Sequence, residues 1–123
     1  MSNTEERDLG TQPLDAILKG WQLDNHDVVE ASPQQLTHKQ LVRARNGRRL
    51  TLKMMIKVAR TVNFAVWGRL TDEEREQFTE YFPKHLFSYS KGWDATFTDP
   101  NVALYEVIAG RELRADFREE LGL

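Results

Sequence analysis

Apolar residues near the start of the chain recur with the spacing of a helix. They occupy positions i, i+3, i+4 and i+7 of one face: Leu14, Ile17, Leu18 and Trp21. Pro13 suits the first turn of this helix, and the pattern ends near Gly20. Residues 1–12 are polar and show no such pattern. We therefore predict a disordered tail over residues 1–12, followed by a short amphipathic helix.

A second short helix is predicted directly after the first. Asp24 or Asn25 can cap its N-terminus, Val28 and Val29 face inward, and the Ser-Pro pair after Ala31 ends it. No segment of the chain alternates apolar and polar residues for long enough to predict a sheet.

A third helix of about nine residues follows. Thr37 and Gln40 have the spacing of a capping box, in which each side chain accepts a hydrogen bond from the other residue's backbone N–H. The helix runs to Arg45 or Asn46, where Gly47 offers a left-handed stop.

Thr51 opens the fourth and longer helix, whose end is marked by Asn63 and Gly68. Its apolar stripe consists of Leu52, Met55, Ile56, Ala59 and Val62. Another face carries Lys53, Lys57 and Arg60.

Aromatic residues are concentrated in the second half of the chain. Seven of the twelve fall within twenty positions: Phe78, Tyr81, Phe82, Phe87, Tyr89, Trp93 and Phe97. Thr71 and Glu74 match a second capping box, and the helix that they start is predicted to run through the first three of these rings until Pro83 breaks it. Core packing is the main role expected of the cluster, with self-association as the alternative. Stacking on single-stranded bases is disfavoured because the charges among these rings cancel.

Two helix signals remain toward the C-terminus. Asp99 and Pro100 repeat a cap followed by a first turn, ahead of apolar residues that begin at Val102. A last helix is predicted to carry Leu113, Phe117 and Leu121.

Charge is distributed unevenly along the chain, although the net charge is only −2. Residues 1–30 hold seven acidic and two basic residues, and residues 72–123 hold twelve acidic and six basic ones. Residues 31–71 contain no acid and nine bases: Lys39, Arg43, Arg45, Arg48, Arg49, Lys53, Lys57, Arg60 and Arg69. Such a segment is typical of a surface that meets a polyanion. The alternative is that this face pairs with the acidic flanks of the same molecule or with an acidic protein partner.

The string LTHKQLVRARNGRRLTLKMMIKVARTVN, within residues 25–63, resembles the lambda-repressor and Cro-like (Xre-type) helix-turn-helix superfamily. In this reading Thr37 caps a recognition helix, Asn46 and Gly47 stop it, and Ala59 lies in the next helix. The resemblance implies a DNA-binding protein, either a transcriptional regulator or an accessory factor. The chain departs from the family pattern at Arg45, where the family often has Glu, and in the turn over residues 32–35.

A helical wheel of the proposed recognition helix assigns roles to its side chains. Leu41 and Ala44 face inward, while Lys39, Arg43 and Asn46 face outward, with His38 and Val42 flanking them and Gln40 at the margin. The candidates for contacts to DNA bases are Lys39, Gln40, Arg43 and Asn46. The candidates for contacts to phosphates are His38, Arg45, Arg48, Arg49, Lys53, Lys57 and Arg60.

The expected fold is all-α, in one compact multi-helix domain. A helix-turn-helix-like subdomain over residues 13–66 is followed by an aromatic-rich helical extension over residues 67–123. The extension either packs on the first part or mediates formation of a homodimer, which would present two recognition helices to double-stranded DNA. RNA is less favoured because neither an RNP-like aromatic strand nor a GXXG loop is present.

Nothing in the sequence predicts an enzyme, a cofactor or a metal site. The chain has no cysteine, its three histidines are scattered, and its seven glycines are isolated from one another. The absence of cysteine and of an apolar leader leads us to expect a cytoplasmic protein with no membrane partner.

Overall fold

A computed structural model describes residues 8–122, and within residues 113–117 it describes the helical backbone alone. The predicted tail over residues 1–7 and the predicted roles of the Leu113 and Phe117 side chains lie outside what it describes.

The described residues form helices joined by short loops, except for the longer connection over residues 87–101. In chain order the helices are α1 Pro13–Gly20, α2 Asn25–Ala31, α3 His38–Asn46, α4 Leu52–Trp67, α5 Asp72–Gln77, α6 Pro83–Leu86 and α7 Val102–Glu120. No strand occurs between residues 8 and 122, where the extended pairing consists of one isolated bridge between Asp8 and Arg48. The predicted all-α fold is confirmed.

Side-chain caps set the starts of four helices. The capping boxes predicted at Thr37–Gln40 and Thr71–Glu74 are both present. Thr51 caps α4 by accepting a hydrogen bond from the N–H of Met54. Asp24 caps α2 by accepting from the N–H of Asp27. A cap of this kind contributes about 1 kcal/mol, which explains why local sequence determined these starts.

One hydrophobic core joins both halves of the described chain. Leu14, Leu18 and Trp21 place the inner face of α1 at its centre, with no more than 1% of each residue exposed. Helix α1 packs against α3, α6 and α7, while α2 packs against α3 and α4. The same cluster includes Phe87 and Ile108 from the second half. Residues 67–112 therefore pack on the first four helices and share their core.

The aromatic segment is mostly not helical, which corrects one prediction. Helix α5 ends at Gln77, so Phe78, Tyr81 and Phe82 do not lie within it. Residues 78–82 have no regular secondary structure, and the side-chain amide of Asn63 pairs with the backbone of Tyr81. Asn63 donates to the Tyr81 carbonyl at 2.9 Å and accepts from its N–H at 2.8 Å. This contact with α4 satisfies the backbone of residue 81 as another helical turn would have done.

Residues 8–12 are also folded, although the sequence predicted a disordered tail up to residue 12. The N–H of Leu9 donates to the carbonyl of Gly47 at 2.8 Å, and the N–H of Gln12 donates to the carbonyl of Arg45 at 3.0 Å. The Gln12 side chain is 2% exposed and accepts hydrogen bonds from the backbone and the hydroxyl of Ser88. These partners are distant in sequence, so no local pattern could predict the contact.

Candidate nucleic-acid interface

The α2–turn–α3 unit is anchored on α4 through a pair of hydroxyl groups, those of Ser32 and Thr61. The Ser32 hydroxyl accepts a hydrogen bond from the N–H of Leu36 at 2.9 Å and lies 3.2 Å from the Thr61 hydroxyl. The Thr61 hydroxyl donates to the carbonyl of Lys57 at 2.9 Å, which leaves Ser32 as the donor between the two hydroxyls. Thr61 is fully buried. The turn between α2 and α3 is thus held against α4.

The outer face of α3 is exposed along its whole length. Leu41 and Ala44 are fully buried against the core, as the helical wheel predicted. The exposed side chains on the opposite side belong to Lys39, Val42, Arg43 and Asn46. The structure therefore groups three of the four candidate base-contact residues on one accessible surface, together with a valine.

Gln40, the fourth candidate for base contact, is already engaged. Its side-chain oxygen accepts a hydrogen bond from the N–H of Thr37 at 3.0 Å within the capping box. A bidentate contact to adenine needs both the oxygen and the nitrogen of the amide in one orientation. The cap fixes that orientation and occupies one acceptor site of the oxygen, so Gln40 is less available to a ligand than the other three candidates.

Arg45 is an internal residue, which corrects its assignment as a phosphate contact. Its side chain is 14% exposed, its Nη2 lies 2.7 Å from a carboxylate oxygen of Asp15, and its Nη1 donates to Asn25 at 2.7 Å. Lys19 and Arg45 both hold the pKa of Asp15 below its ordinary value, against the opposing effect of burial. Arg45 thus links α3 to α1 and α2. A helical wheel shows only the direction of each side chain around one helix, so it could not predict that Arg45 has partners on α1 and α2.

His38 also points partly toward the protein. Its ring stacks on that of His26 in α2, with ring centroids 6.1 Å apart and an interplanar angle of 17°. His26 in turn lies 3.5 Å from the carboxylate of Glu30. These contacts place His38 beside the N-terminal end of α2, away from the middle of the exposed α3 face.

The loop between α3 and α4 holds two exposed arginines on a rigid support. Gly47 has a positive φ of 96°, and a side chain there would collide with the backbone of Gly10. The Tyr89 hydroxyl accepts from the N–H of Leu50 at 3.0 Å and donates to the carbonyl of Arg48 at 3.3 Å. The guanidinium carbon of Arg49 lies 5.2 Å from the centre of the Tyr89 ring. Burial raises the pKa of this tyrosine, so its hydroxyl remains protonated. The role of Tyr89 in positioning this loop could not be predicted from the sequence, because Tyr89 lies about forty residues away from the loop.

A third set of basic residues lines a shallow groove beside α4. The groove has a volume of about 640 Å³ and lies between α4 and the α2–α3 turn. Its walls include Gln34, Thr51, Lys53, Lys57 and Arg60. Hydroxyl, amide and cationic groups are all able to bind phosphate oxygens.

The basic segment makes few ion pairs with the acidic flanks. Arg45 pairs with Asp15, and Arg69 lies 3.7 Å from Glu112 while donating to the carbonyl of Trp21. The remaining seven bases form no ion pair with an acid among residues 8–112 and 118–122: Lys39, Arg43, Arg48, Arg49, Lys53, Lys57 and Arg60. Six of these are exposed and Lys57 is half-buried. Their positive charge is thus presented to solvent.

The described side chains contain no group of three or more His, Asp and Glu residues placed to hold a metal ion. None of the described helices is both long and apolar enough to cross a membrane. No family model matches the chain, and no curated protein or solved structure matches it either.

Proposed function

We propose that this protein binds double-stranded DNA, with α3 in the major groove and the α3–α4 loop and the side of α4 on the phosphates. The observation that carries the proposal is the set of seven bases without a described acidic partner, arranged around an exposed helix that the core and the turn hold rigidly. A helix of this kind fits the major groove, and cationic side chains beside it neutralise the backbone.

The seven basic residues and Asn46 divide into two roles. Lys39, Arg43 and Asn46 lie on the face of α3 and would meet base edges, where Arg43 is suited to guanine. Five residues outside α3 would contact phosphates without reading sequence: Arg48, Arg49, Lys53, Lys57 and Arg60. Arg45 is left out of this set because its side chain is paired within the protein, and His38 because its ring stacks on His26 beside α2, away from the middle of the α3 face. The biological role that we propose is that of a transcriptional regulator or an accessory factor.

The experiment is a fluorescence anisotropy titration of short DNA duplexes over a salt series. About five phosphate contacts predict a slope of log K against log[salt] of about −4.5. The double variant R48A/R49A should bind every duplex more weakly and show a shallower slope. The matched control is K84A/K91A, which removes two exposed lysines outside the segment and should bind as the wild type does.

Absence of binding to any duplex at low salt would overturn the proposal. Binding of an acidic polypeptide such as polyglutamate in preference to DNA would instead favour a module for an acidic protein partner. Pairing of the basic face with the acidic flanks of the same molecule is not supported, since seven of the nine bases contact none of the acids described.

We also propose that two copies associate, because many helix-turn-helix proteins bind two half-sites through a two-fold axis. The sequence pointed to the aromatic-rich half for this contact, but most of those rings are buried or half-buried. We propose that the contact lies on α4 instead, where Phe64 is 58% and Trp67 is 45% exposed beside Arg75 and Glu80. Light scattering tests this: a monomer at all concentrations, with and without DNA, would contradict it.

A further inference from the structure

Val42 is an apolar residue at one edge of an otherwise polar exposed surface on α3. It is 41% exposed, whereas the other apolar residues of α3, Leu41 and Ala44, are fully buried. Its neighbours on the outer face are polar or charged: Lys39, Arg43 and Asn46. A helix of this kind gains nothing in water from a β-branched apolar side chain at such a position.

The position of Val42 on the helix places it among the groups that would meet base edges. At about 100° per residue, Val42 lies about 60° from Lys39 and about 40° from Asn46 around the axis. Arg43 is on the other side of Lys39, so Val42 and Arg43 mark the two edges of the outer face. The His38 ring stacks on His26, and the Gln40 side chain is held in its capping box. Neither contact places a side chain over Val42.

The major groove offers very few apolar groups to such a residue. Hydrogen-bond donors and acceptors make up the edges of guanine, cytosine and adenine, and thymine adds the C5-methyl group. A valine facing the groove therefore has one apolar partner on the base edges. We propose that Val42 packs against the methyl group of a thymine, and that α3 thereby reads at least one thymine in addition to the base met by Arg43.

This inference rests on the proposed function, and its test separates the two. The preferred duplex is first selected from a random pool by the wild-type protein. Each thymine of that duplex is then replaced, one at a time, by uracil, which removes the C5-methyl group and keeps every hydrogen-bonding group of the base edge. Removing one buried methyl should weaken binding about fourfold at one thymine and leave the other positions nearly unaffected.

The variant V42A completes a double-mutant cycle with the same duplexes. It should bind the thymine-containing site about fourfold more weakly than the wild type and should no longer distinguish thymine from uracil at that position. The matched control is V107A, which truncates a valine of α7 that is 57% exposed and should leave both properties unchanged. Circular dichroism checks that the variants are folded, and the uracil series with the wild type needs no variant.

Three outcomes count against the inference. A selected site without thymine overturns it, as does a wild type whose affinity is insensitive to uracil at every position, and in both cases DNA binding itself stands. Equal sensitivity to uracil in V42A and the wild type overturns it as well, because the methyl is then read by another residue. If no duplex is bound at all, the proposed function fails and the role of Val42 fails with it.

Discussion

The acid-free segment of residues 31–71 and the aromatic segment of residues 78–97 differ in where their most conspicuous side chains point. In the first, six of the nine basic residues are exposed and most of the apolar residues between them build the core. In the second, Tyr81 and Phe87 are buried and only Phe82 of the seven rings is exposed. Charge therefore marks the available surface of this molecule, and aromatic density marks its interior.

The backbones of the two segments also differ. Residues 31–71 are built from regular helices with local caps, which leave one face of each helix free. Residues 78–97 are largely irregular and depend on side chains for their backbone hydrogen bonds, such as Asn63 with Tyr81 and Asn101 with Thr79. The hydroxyl of Tyr81 also accepts from the indole of Trp21 at 3.0 Å and donates to Asp99 at 2.7 Å. Burial raises the pKa of Tyr81 well above its ordinary value, which keeps this donor protonated.

The largest effect is expected from a ring of the aromatic segment. Phe87→Ala leaves a cavity at a fully buried position and should lower the free energy of unfolding by about 3–5 kcal/mol. The control Phe82→Ala truncates a ring that is 50% exposed and should change it by less than about 1 kcal/mol. Urea unfolding followed by circular dichroism measures both, and similar losses from the two variants would contradict the contrast.

Two arginines of α3 provide the next contrast. Arg45→Ala removes the hydrogen bonds from Arg45 to Asp15 and Asn25 and leaves Asp15 paired with Lys19 alone, and we expect a loss of about 1–2 kcal/mol in the free energy of unfolding. Arg43→Ala removes an exposed side chain and should change stability by no more than about 0.5 kcal/mol. The order should reverse in the DNA titration, where Arg43→Ala is expected to cost about tenfold or more in affinity for the preferred site. Equal destabilisation by the two variants would contradict the role of Arg45 in linking α3 to α1 and α2.

The smallest effect concerns His85 in the aromatic segment. Burial and the nearby Lys84 lower the pKa of His85, whose Nδ1 accepts from the N–H of Phe82 at 3.0 Å and whose ring stacks on Phe97 at 4.5 Å. A base whose folded-state pKa is lowered binds protons more readily in the unfolded chain, so stability should fall as pH drops below 6.5 and level off below the folded-state pKa.

Melting temperatures at pH 7.5 and pH 5.0 measure this dependence. The control H85N offers an amide oxygen as acceptor and does not titrate, so its melting temperature should change less over the same interval. The carboxyl groups of Asp15 and Glu74 have lowered pKa values, and the stability that they contribute is lost mainly as the pH falls below their ordinary values of 3.8 and 4.5. Their small contribution at pH 5.0 is the same in the wild type and in H85N. A wild type as insensitive to pH as H85N would contradict the assignment.

Much of the fold could be predicted because its signals are local. A hydroxyl cap, an acceptor three residues later and a glycine stop act within one or two turns, so the bounds of α3 follow from Thr37, Gln40 and Gly47 alone. The end of α5 and the folded conformation of residues 8–12 could not be predicted in this way. Both depend on hydrogen bonds to residues far along the chain, including Asn63 and Gly47.

The sequence by itself determined the starts of α1 to α5, the inner and outer faces of α3 and the segregation of charge, because periodicity and capping depend on neighbours within a few residues. Tertiary structure decided which of the charged residues are available. Only the packing of α1 and α2 against α3 shows that Arg45 belongs to the interior while Arg43, two residues earlier, remains exposed. Two arginines of the same helix therefore differ in exposure because only one of them has partners on other helices. No pattern within a single helix carries that information.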